Sequence, residues 1–269
     1  MRKRILTTAC VAGFAGFLVL PAVTLAQMPS QQPAGAKDNA SAPFNPHDLS
    51  GMWEFFNNIP GQGIYATPSK DHPPMTRWAK AKYDEAKPGY GPKAQAGGND
   101  PILKCDPTGI PRLLFFPQPF EIFVSPERVF MFFERDHAWR QIWTDGRGHP
   151  KDMEPTWMGD SIGKWDGDTF VVDTVGFNDK SWLDFYGDPH SEDLRLIERY
   201  RRVDHDNLTL QLVVEDPKAY TATWTGDTKT YRLLKGKKAY MEELFCIPEE
   251  EDAFTNRIRM PAVGQKPNQ

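Results

Sequence analysis

A turn and a loop in the second half of the chain hold the side chains best suited to acid–base chemistry. The turn carries Asp145, Arg147 and His149, which offer a carboxylate, a guanidinium and an imidazole within one short segment. Imidazole takes and returns protons near neutral pH, and a guanidinium binds a carboxylate or a developing negative charge through paired donors. We predict Asp145 and His149 as catalytic residues and Arg147 as a ligand-binding residue. The alternative is a structural turn in which Asp145 pairs with Arg147 at the surface.

The loop is residues 188–192, with the sequence Asp-Pro-His-Ser-Glu. His190 and Glu192 are a candidate acid–base pair of catalytic residues within it. Trp182 and Tyr186 precede the loop, and we predict that they bind ligand as walls of a small-molecule pocket. The alternative is a solvated loop whose aromatic side chains anchor it to the domain.

A third candidate is Glu198, which shares one face of a predicted strand with Leu196 and Tyr200. Its carboxylate therefore points among apolar groups, where it needs a partner. Arg140 alternates with Ile142 on another predicted strand and is the candidate partner, placed among the ligand-binding residues. A structural salt bridge and a catalytic carboxylate explain this pattern equally well.

The sequence contains few signs of a metal or a bound cofactor. The pairs H-x-H and H-E-x-x-H are absent, and no glycine-rich phosphate loop joins a predicted strand to a helix. Residues 159–163 have the letters of the G-x-S-x-G motif, but they lie in a strand context rather than between a strand and a helix. We predict no cofactor and no metal; the alternative is a metal held by His137, His149, His190 and nearby carboxylates.

The N-terminus has the three parts of a secretory signal. Basic residues open the chain, an apolar stretch follows over about residues 11–23, and the small residues Thr24 and Ala26 precede Gln27. The apolar stretch is shorter than the roughly 20 residues that span a bilayer. We therefore predict cleavage before Gln27 and a periplasmic or secreted protein.

Charge and cysteine usage agree with export. The formal net charge is −4, and no basic run follows the signal, which argues against nucleic acid or anionic membrane as partners. Of the three cysteines, Cys10 leaves with the signal. Cys105 and Cys246 remain without a C-x-x-C motif, so we predict a disulfide; the alternative is a catalytic thiolate.

The elements that must position these residues are mainly strands. We predict a disordered leader over 27–47, one domain over 48–249, one helix over 76–86 and an irregular tail over 250–269. Glycine-containing turns separate short alternating segments, which indicates antiparallel hairpins. An up-and-down meander of this kind closes into a lipocalin-like barrel, after long irregular N-terminal segments. Strands are predicted over residues 120–124, 129–134, 138–144, 161–165, 169–175, 194–203, 208–214, 222–224, 230–234 and 240–245.

Four segments resemble a widespread family of secreted bacterial proteins. They are residues 145–150 (DGRGHP), 167–177 (GDTFVVDTVGF), 189–192 (PHSE) and 198–202 (ERYRR). The resemblance covers roughly residues 48–246 and implies export and a single domain, but it implies no mechanism.

Gly51-Met52-Trp53 resembles the Gly-x-Trp signature of lipocalin-type barrels. In those barrels the tryptophan closes one end and packs against an arginine from a late strand. The resemblance makes Arg232 the expected partner of Trp53, through a cation–π contact.

Two hypotheses from different classes follow. The first is a cofactor-independent lyase, isomerase or hydrolase that acts on a small, partly apolar compound. The second is a lipocalin-like periplasmic carrier that binds a small ligand without catalysis. Catalysis requires groups within hydrogen-bond reach of one another. The enzyme hypothesis therefore predicts that His149, His190 and Glu198 line one cavity.

Overall fold

Alternation of apolar and polar residues explains why the second half of the chain forms strands. Within Asn207–Glu215, the side chains of Leu208, Leu210, Leu212 and Val214 are buried, and those between them are partly exposed. Successive side chains of a strand point to opposite faces, so one face enters the core and the other meets water.

The computed structural model describes residues 43–56, 67–69, 71 and 73–254. The predicted signal peptide (1–26), residues 27–42 of the predicted leader and residues 255–269 of the predicted tail lie outside the described residues.

Ten strands and two α-helices make up the regular structure of the described residues. The strands are β1 (Gly51–Phe55), β2 (Phe120–Val124), β3 (Arg128–Phe133), β4 (Trp139–Trp143), β5 (Asp160–Asp166), β6 (Thr169–Val175), β7 (Arg195–Arg202), β8 (Asn207–Glu215), β9 (Trp224–Thr225) and β10 (Lys229–Leu233). The α-helices are α1 (Arg77–Glu85) and α2 (Pro248–Phe254). Short 3₁₀ turns occupy Pro101–Lys104, Arg112–Phe115, Arg135–His137 and Gly236–Lys238.

The predicted mainly β barrel is confirmed. Neighbouring strands follow the order β10-β1-β2-β3-β4-β5-β6-β7-β8-β9, and a further pairing of β10 with β8 closes the first nine into a barrel. β8 pairs with both β10 and β9, because its first half pairs with β10 and its last residues pair with β9. Closure removes unpaired strand edges, which is the reason for expecting a barrel from a long meander.

One junction departs from the predicted antiparallel meander. β4 and β5 are parallel, with Ile142 beside Ser161 and Trp143 beside Ile162. The connection over residues 144–159 is long enough to carry the chain back before β5 begins, which a hairpin turn is not. The remaining pairings are antiparallel.

The helix prediction is confirmed, but the end of the chain differs from expectation. Thr76 caps α1, and its side-chain oxygen accepts from the Ala79 N–H over 3.3 Å. Residues 240–245 form no strand, and α2 occupies part of the segment predicted as an irregular tail. In the described part of the chain, neither helix combines the length and the apolarity needed to cross a bilayer.

Trp53 is fully buried at one end of the barrel, but its cationic partner is not Arg232. The guanidinium of Arg202 lies 5.5 Å from the Trp53 ring, whereas Arg232 stacks on Phe56 at 3.6 Å. Arg232 pairs in register with the outward-pointing Glu54, so its side chain leaves the barrel on the opposite face from Trp53.

A disulfide joins Cys105 and Cys246, as predicted, with the two Cα atoms 5.5 Å apart. The segment before Cys246 lies against the turn that follows β3. There the His137 ring stacks on Phe245 with centroids 4.3 Å apart, and His137 Nε2 accepts from the Leu244 N–H over 2.8 Å. The bridge therefore fixes a long C-terminal segment on the outside of the barrel.

Candidate functional site

Residues 181–190 form a closed loop between β6 and β7 whose two ends meet. Trp182 and Pro189 pair as an isolated antiparallel bridge near the ends of the loop. The closure places Ser181 Oγ 3.1 Å from His190 Nε2, with both side chains buried. A hydroxyl in contact with an imidazole is the arrangement that activates a serine for nucleophilic attack.

The tip of this loop packs against the end of α1. One carboxylate oxygen of Asp184 accepts from the N–H groups of Tyr186 and Asp188, over 2.9 and 3.1 Å, which closes the tip. Gly187 has φ of +89°, and a Cβ added there would lie 2.7 Å from the Cβ of Ala86. Only glycine tolerates both the positive φ and the lack of space for a Cβ. Glycine at this position therefore lets the loop approach the helix closely.

The second nitrogen of His190 faces a backbone carbonyl. Nδ1 lies 3.3 Å from the oxygen of Ser191. Asp216 holds Ser191 in place, because its carboxylate accepts from the backbone N–H over 2.6 Å and from the hydroxyl over 2.8 Å. A carbonyl only accepts, so the proton of a neutral imidazole belongs on Nδ1. Nε2 is then free to accept the proton of Ser181.

Burial keeps this imidazole in its neutral form. It lowers the pKa of His190 below the ordinary value of 6.5, against the opposing effects of the Ser191 carbonyl and the charges of Asp216 and Asp179. His190 is therefore an acceptor for Ser181 at neutral pH, as a general base must be.

A cavity of about 170 Å³ opens beside the Ser181–His190 pair. Trp182 lines it from the loop, while Trp78, Lys82 and Glu85 line it from α1. The remaining lining residues follow α1 or lie in or just before the loop: Ala86, Asn99, Asp179, Lys180 and Pro189. The cavity combines two indole walls with cations and carboxylates, which suits a small polar compound with an apolar part.

Buried acidic groups are concentrated within the loop. Asp184 and Asp188 are both fully buried. Burial and the charge of Asp188 raise the pKa of Asp184 well above the ordinary value of 3.8. Burial, with the charges of Asp188 and Asp184, also raises the pKa of Tyr83 and that of Tyr220. This cluster disfavours additional negative charge near the tip of the loop.

Glu198 lies inside the barrel rather than at the cavity. Its predicted partnership with Arg140 is confirmed, since two guanidinium nitrogens contact the two carboxylate oxygens over 3.0 and 2.9 Å. Tyr200 donates its hydroxyl proton to the same carboxylate. The hydroxyls of Ser161 and Thr174 accept from Arg140, over 2.9 and 3.3 Å. The arrangement fits a structural tie across the barrel.

The 145–149 turn lies outside the cavity, whose lining includes His190 but neither His149 nor Glu198. The turn follows the end of β4, which lies beside the start of β5. In the turn, Asp145 accepts from Arg147 on the surface, and His149 Nδ1 lies 2.6 Å from Asp160. The expected single cavity lined by His149, His190 and Glu198 is therefore wrong.

Of the other predicted site residues, some line the cavity and others do not. Trp182 lines the cavity, whereas Tyr186 is half-buried at the tip of the loop. Glu192 is exposed beyond His190.

Comparison with known proteins adds no relative: no family model, no curated protein and no solved structure matches this chain. The resemblance to a family of secreted bacterial proteins stays a prediction.

Sequence reasoning missed Ser181, Asp216 and the α1 residues Lys82 and Glu85. Ser181 stands nine residues before His190, and no spacing rule pairs residues across a loop of that length. Its nearest signal was the aromatic residues Trp182 and Tyr186 before His190, which indicated a packed segment but not where its ends meet.

Proposed function

We propose that this protein is a cofactor-independent acid–base enzyme, and specifically a hydrolase of a small acyl compound. The observation that carries the proposal is the 3.1 Å contact between Ser181 Oγ and Nε2 of a buried His190 beside an open cavity. A serine alone is a weak nucleophile and becomes effective when an adjacent base removes its proton.

The chemistry follows from the positions of the protons. His190 Nε2 takes the proton of Ser181 as Oγ bonds to the acyl carbon of the substrate. The imidazolium then gives that proton to the leaving group, whose bond to the acyl carbon breaks. Water hydrolyses the acyl-serine in the same manner, with His190 again as base and then as acid.

Two lysines at the cavity suit the charge that develops in this reaction. Lys82 and Lys180 line the same cavity, and Lys180 lies 5.2 Å from the Trp157 ring. An ammonium group stabilises the oxyanion that forms during attack or binds an anionic group of the substrate. The cavity volume of about 170 Å³ limits the bound group to a small acyl unit.

The carrier hypothesis is the alternative, and the packing of the barrel favours the enzyme. A lipocalin-like carrier holds its ligand among the inward side chains of the barrel. Here large inward side chains fill that space, including Phe170, Tyr200 and Tyr231, each at most 1% exposed. The open cavity lies outside the barrel, beside the acid–base pair.

The test is covalent labelling of the mature protein with a fluorophosphonate probe, followed by peptide mass spectrometry. We expect one modified serine, Ser181, with no label at that position in Ser181→Ala and at least about tenfold slower labelling in His190→Asn. Ser125→Ala, a substitution in the turn between β2 and β3, is the matched control and should label normally.

A panel of short-chain acyl esters then tests turnover. Hydrolysis that is lost in folded Ser181→Ala and His190→Asn supports the proposal. Labelling elsewhere, or ester turnover that survives both substitutions in folded protein, would overturn it.

A further inference from the structure

A second cleft, of about 400 Å³, lies on the outer surface of the sheet. It is formed by the outward side chains of β5, β6 and β7 and by the turn that follows β4. Its residues are shared neither with the Ser181–His190 cavity nor with the barrel interior. What this surface binds is therefore a separate question from the proposed hydrolysis.

The register of the strands arranges the cleft in rows. Lys164 on β5 pairs with Val171 on β6, and Val171 pairs with Arg199 on β7. Two strand spacings therefore separate Lys164 from Arg199, which is roughly 10 Å between their backbones. Both side chains are long enough to converge above Val171.

The next row supplies an apolar floor and one wall. Trp143 stands beside Ile162 in register, and Ile197 lies two strands further along the row. With Val171, the two isoleucines form an apolar strip that Asp173 interrupts. The guanidinium of Arg147 stacks 3.5 Å from the centre of the Trp143 ring, so the wall is a planar cation–π pair.

Of the two carboxylates that line the cleft, Asp166 and Asp173, one is held by a hydrogen-bonded cation. Asp173, between the isoleucines, accepts from Arg195 over 2.9 and 2.7 Å. Arg147 is held by Asp145 in the same way. These pairs fix the border of the cleft and neutralise Asp173 and Asp145.

Lys164 and Arg199 are not matched in this way. The ion pair of Arg199 with the exposed carboxylate of Asp166, which also lines the cleft, is loose, at 3.9 Å. No ion pair joins Lys164 to any residue in the described part of the chain. Two cations thus face an apolar strip on a chain whose formal net charge is −4.

We propose that this cleft binds a small monocarboxylate with a flat apolar body. The carboxylate lies between Lys164 and Arg199, where a guanidinium donates two parallel hydrogen bonds. The body lies on Ile162, Val171 and Ile197 and ends against the Trp143 wall. An inorganic anion pairs with the cations but leaves the apolar strip in contact with water. A neutral ring covers the strip but leaves the cations without a counter-ion.

Titration of the mature protein with naphthalene-2-carboxylate tests the proposal, with isothermal calorimetry as readout. We expect a dissociation constant below ~1 mM for the carboxylate. Naphthalene-2-carboxamide, which has the same ring without the charge, should bind at least about tenfold more weakly, and inorganic phosphate should not compete. Raising the salt concentration should weaken the carboxylate and leave the amide unchanged.

Substitutions place the binding in this cleft. Lys164→Gln with Arg199→Gln should weaken the carboxylate at least about tenfold and leave the amide unchanged, while Ile197→Ser should weaken both. Arg201→Gln, on the same strand but outside the cleft, and Lys151→Gln are the matched controls. Circular dichroism verifies that each variant is folded.

Three results would overturn the proposal. They are absence of carboxylate binding at ~1 mM, equal affinity for acid and amide, and undiminished binding in the folded Lys164→Gln, Arg199→Gln variant. None of these results bears on Ser181 labelling, so this site and the proposed hydrolase fail or stand separately.

Discussion

Ser181 and His190 are held in place by their neighbours rather than by each other alone. Asp216 fixes Ser191, whose carbonyl orients the His190 ring, and the ring then faces Ser181. This chain of contacts assigns the Nδ1 proton and leaves Nε2 as the base. A base oriented by a third group is the usual requirement for an activated nucleophile.

The first prediction concerns the pH dependence of serine labelling. Burial lowers the pKa of His190 below 6.5, so the neutral form persists to more acidic pH than in a free histidine. The labelling rate of Ser181 should therefore fall only below pH 6.5, with its midpoint on the acid side of that value. A midpoint at or above 6.5, or a rate that is independent of pH, would contradict the assigned base.

The second prediction concerns the stability contributed by Asp184. Its pKa is raised by burial and by Asp188, so the folded state binds this proton more tightly than the unfolded chain. The contribution is full below pH 3.8, the ordinary value, and is lost as the pH rises through the folded pKa. Asp184→Asn keeps an oxygen acceptor and removes the ionisation. The difference in unfolding free energy, wild type minus variant, should decrease as the pH rises above about 4.

Asp173→Asn is the control of opposite sign. The hydrogen bond from Arg195 lowers the pKa of Asp173, so its contribution is present above pH 3.8 and is lost as the pH falls through the folded pKa. Urea unfolding at a series of pH values measures both differences. If the Asp184→Asn difference has the same sign as the Asp173→Asn difference, the assignment for Asp184 is wrong.

At the scale of elements, the Arg140–Glu198 pair ties β4 to β7 across the barrel. β5 and β6 lie between these strands and contribute the hydroxyls of Ser161 and Thr174 to the same network. Both charged side chains are at most 1% exposed. In the interior, each charged group therefore takes the place of the water that would otherwise solvate its partner.

The third prediction is that removing one member of this ion pair strongly lowers the unfolding free energy. Arg140→Met leaves the Glu198 carboxylate buried without its partner and should lower the unfolding free energy by about 3–5 kcal/mol. Adding Glu198→Leu removes the remaining charge, so the double variant should be more stable than Arg140→Met alone. Urea unfolding measures both.

The exposed pair of Arg195 and Asp173 is the comparison for this prediction. Arg195→Met should cost at most about 1 kcal/mol, because water solvates the partner that remains. A similar cost for Arg140→Met and Arg195→Met would show that the buried pair is not a tie between strands. A double variant less stable than Arg140→Met would show the same.

At the scale of the whole molecule, the disulfide links the chain before β2 to the chain after β10. Its cysteines are 141 residues apart in sequence, so it encloses most of the barrel. Long loops lose more entropy on crosslinking in the unfolded state, which is where such a bridge acts in the chain-entropy model. The barrel itself closes through the pairing of β10 with β8, which involves neither cysteine.

The fourth prediction follows from that distinction. Replacing both cysteines, as in Cys105→Ser with Cys246→Ser, should lower the unfolding free energy by up to about 5 kcal/mol and leave the far-ultraviolet dichroism unchanged. Calorimetry and dichroism at neutral pH measure the two effects. Reductant should lower the melting temperature of the wild type and leave that of the variant unchanged. A variant that loses its strand signal would contradict a self-closing barrel.

Local patterns in the sequence determined the elements that depend on neighbouring residues. The hairpin of β5 and β6 follows from the glycine at position 167, whose φ is +56°, and the strand faces follow from alternation. The barrel followed from consecutive hairpins, and the bridge from an even pair of cysteines. Alternation also placed Glu198 and Arg140 inward, which was sufficient to predict their contact.

The tertiary structure alone decided how distant segments meet. Alternation is identical for parallel and antiparallel strands, so it does not reveal that β4 and β5 run the same way. Nor does it reveal that His149 contacts Asp160 at the start of β5, whereas His190 faces Ser181 across the closed loop. Likewise, Trp53 meets Arg202 rather than Arg232, and Ser181 meets His190, because closure of the barrel and of the loop selects these partners. Periodicity is a property of one segment, whereas a site depends on the direction and stagger of several.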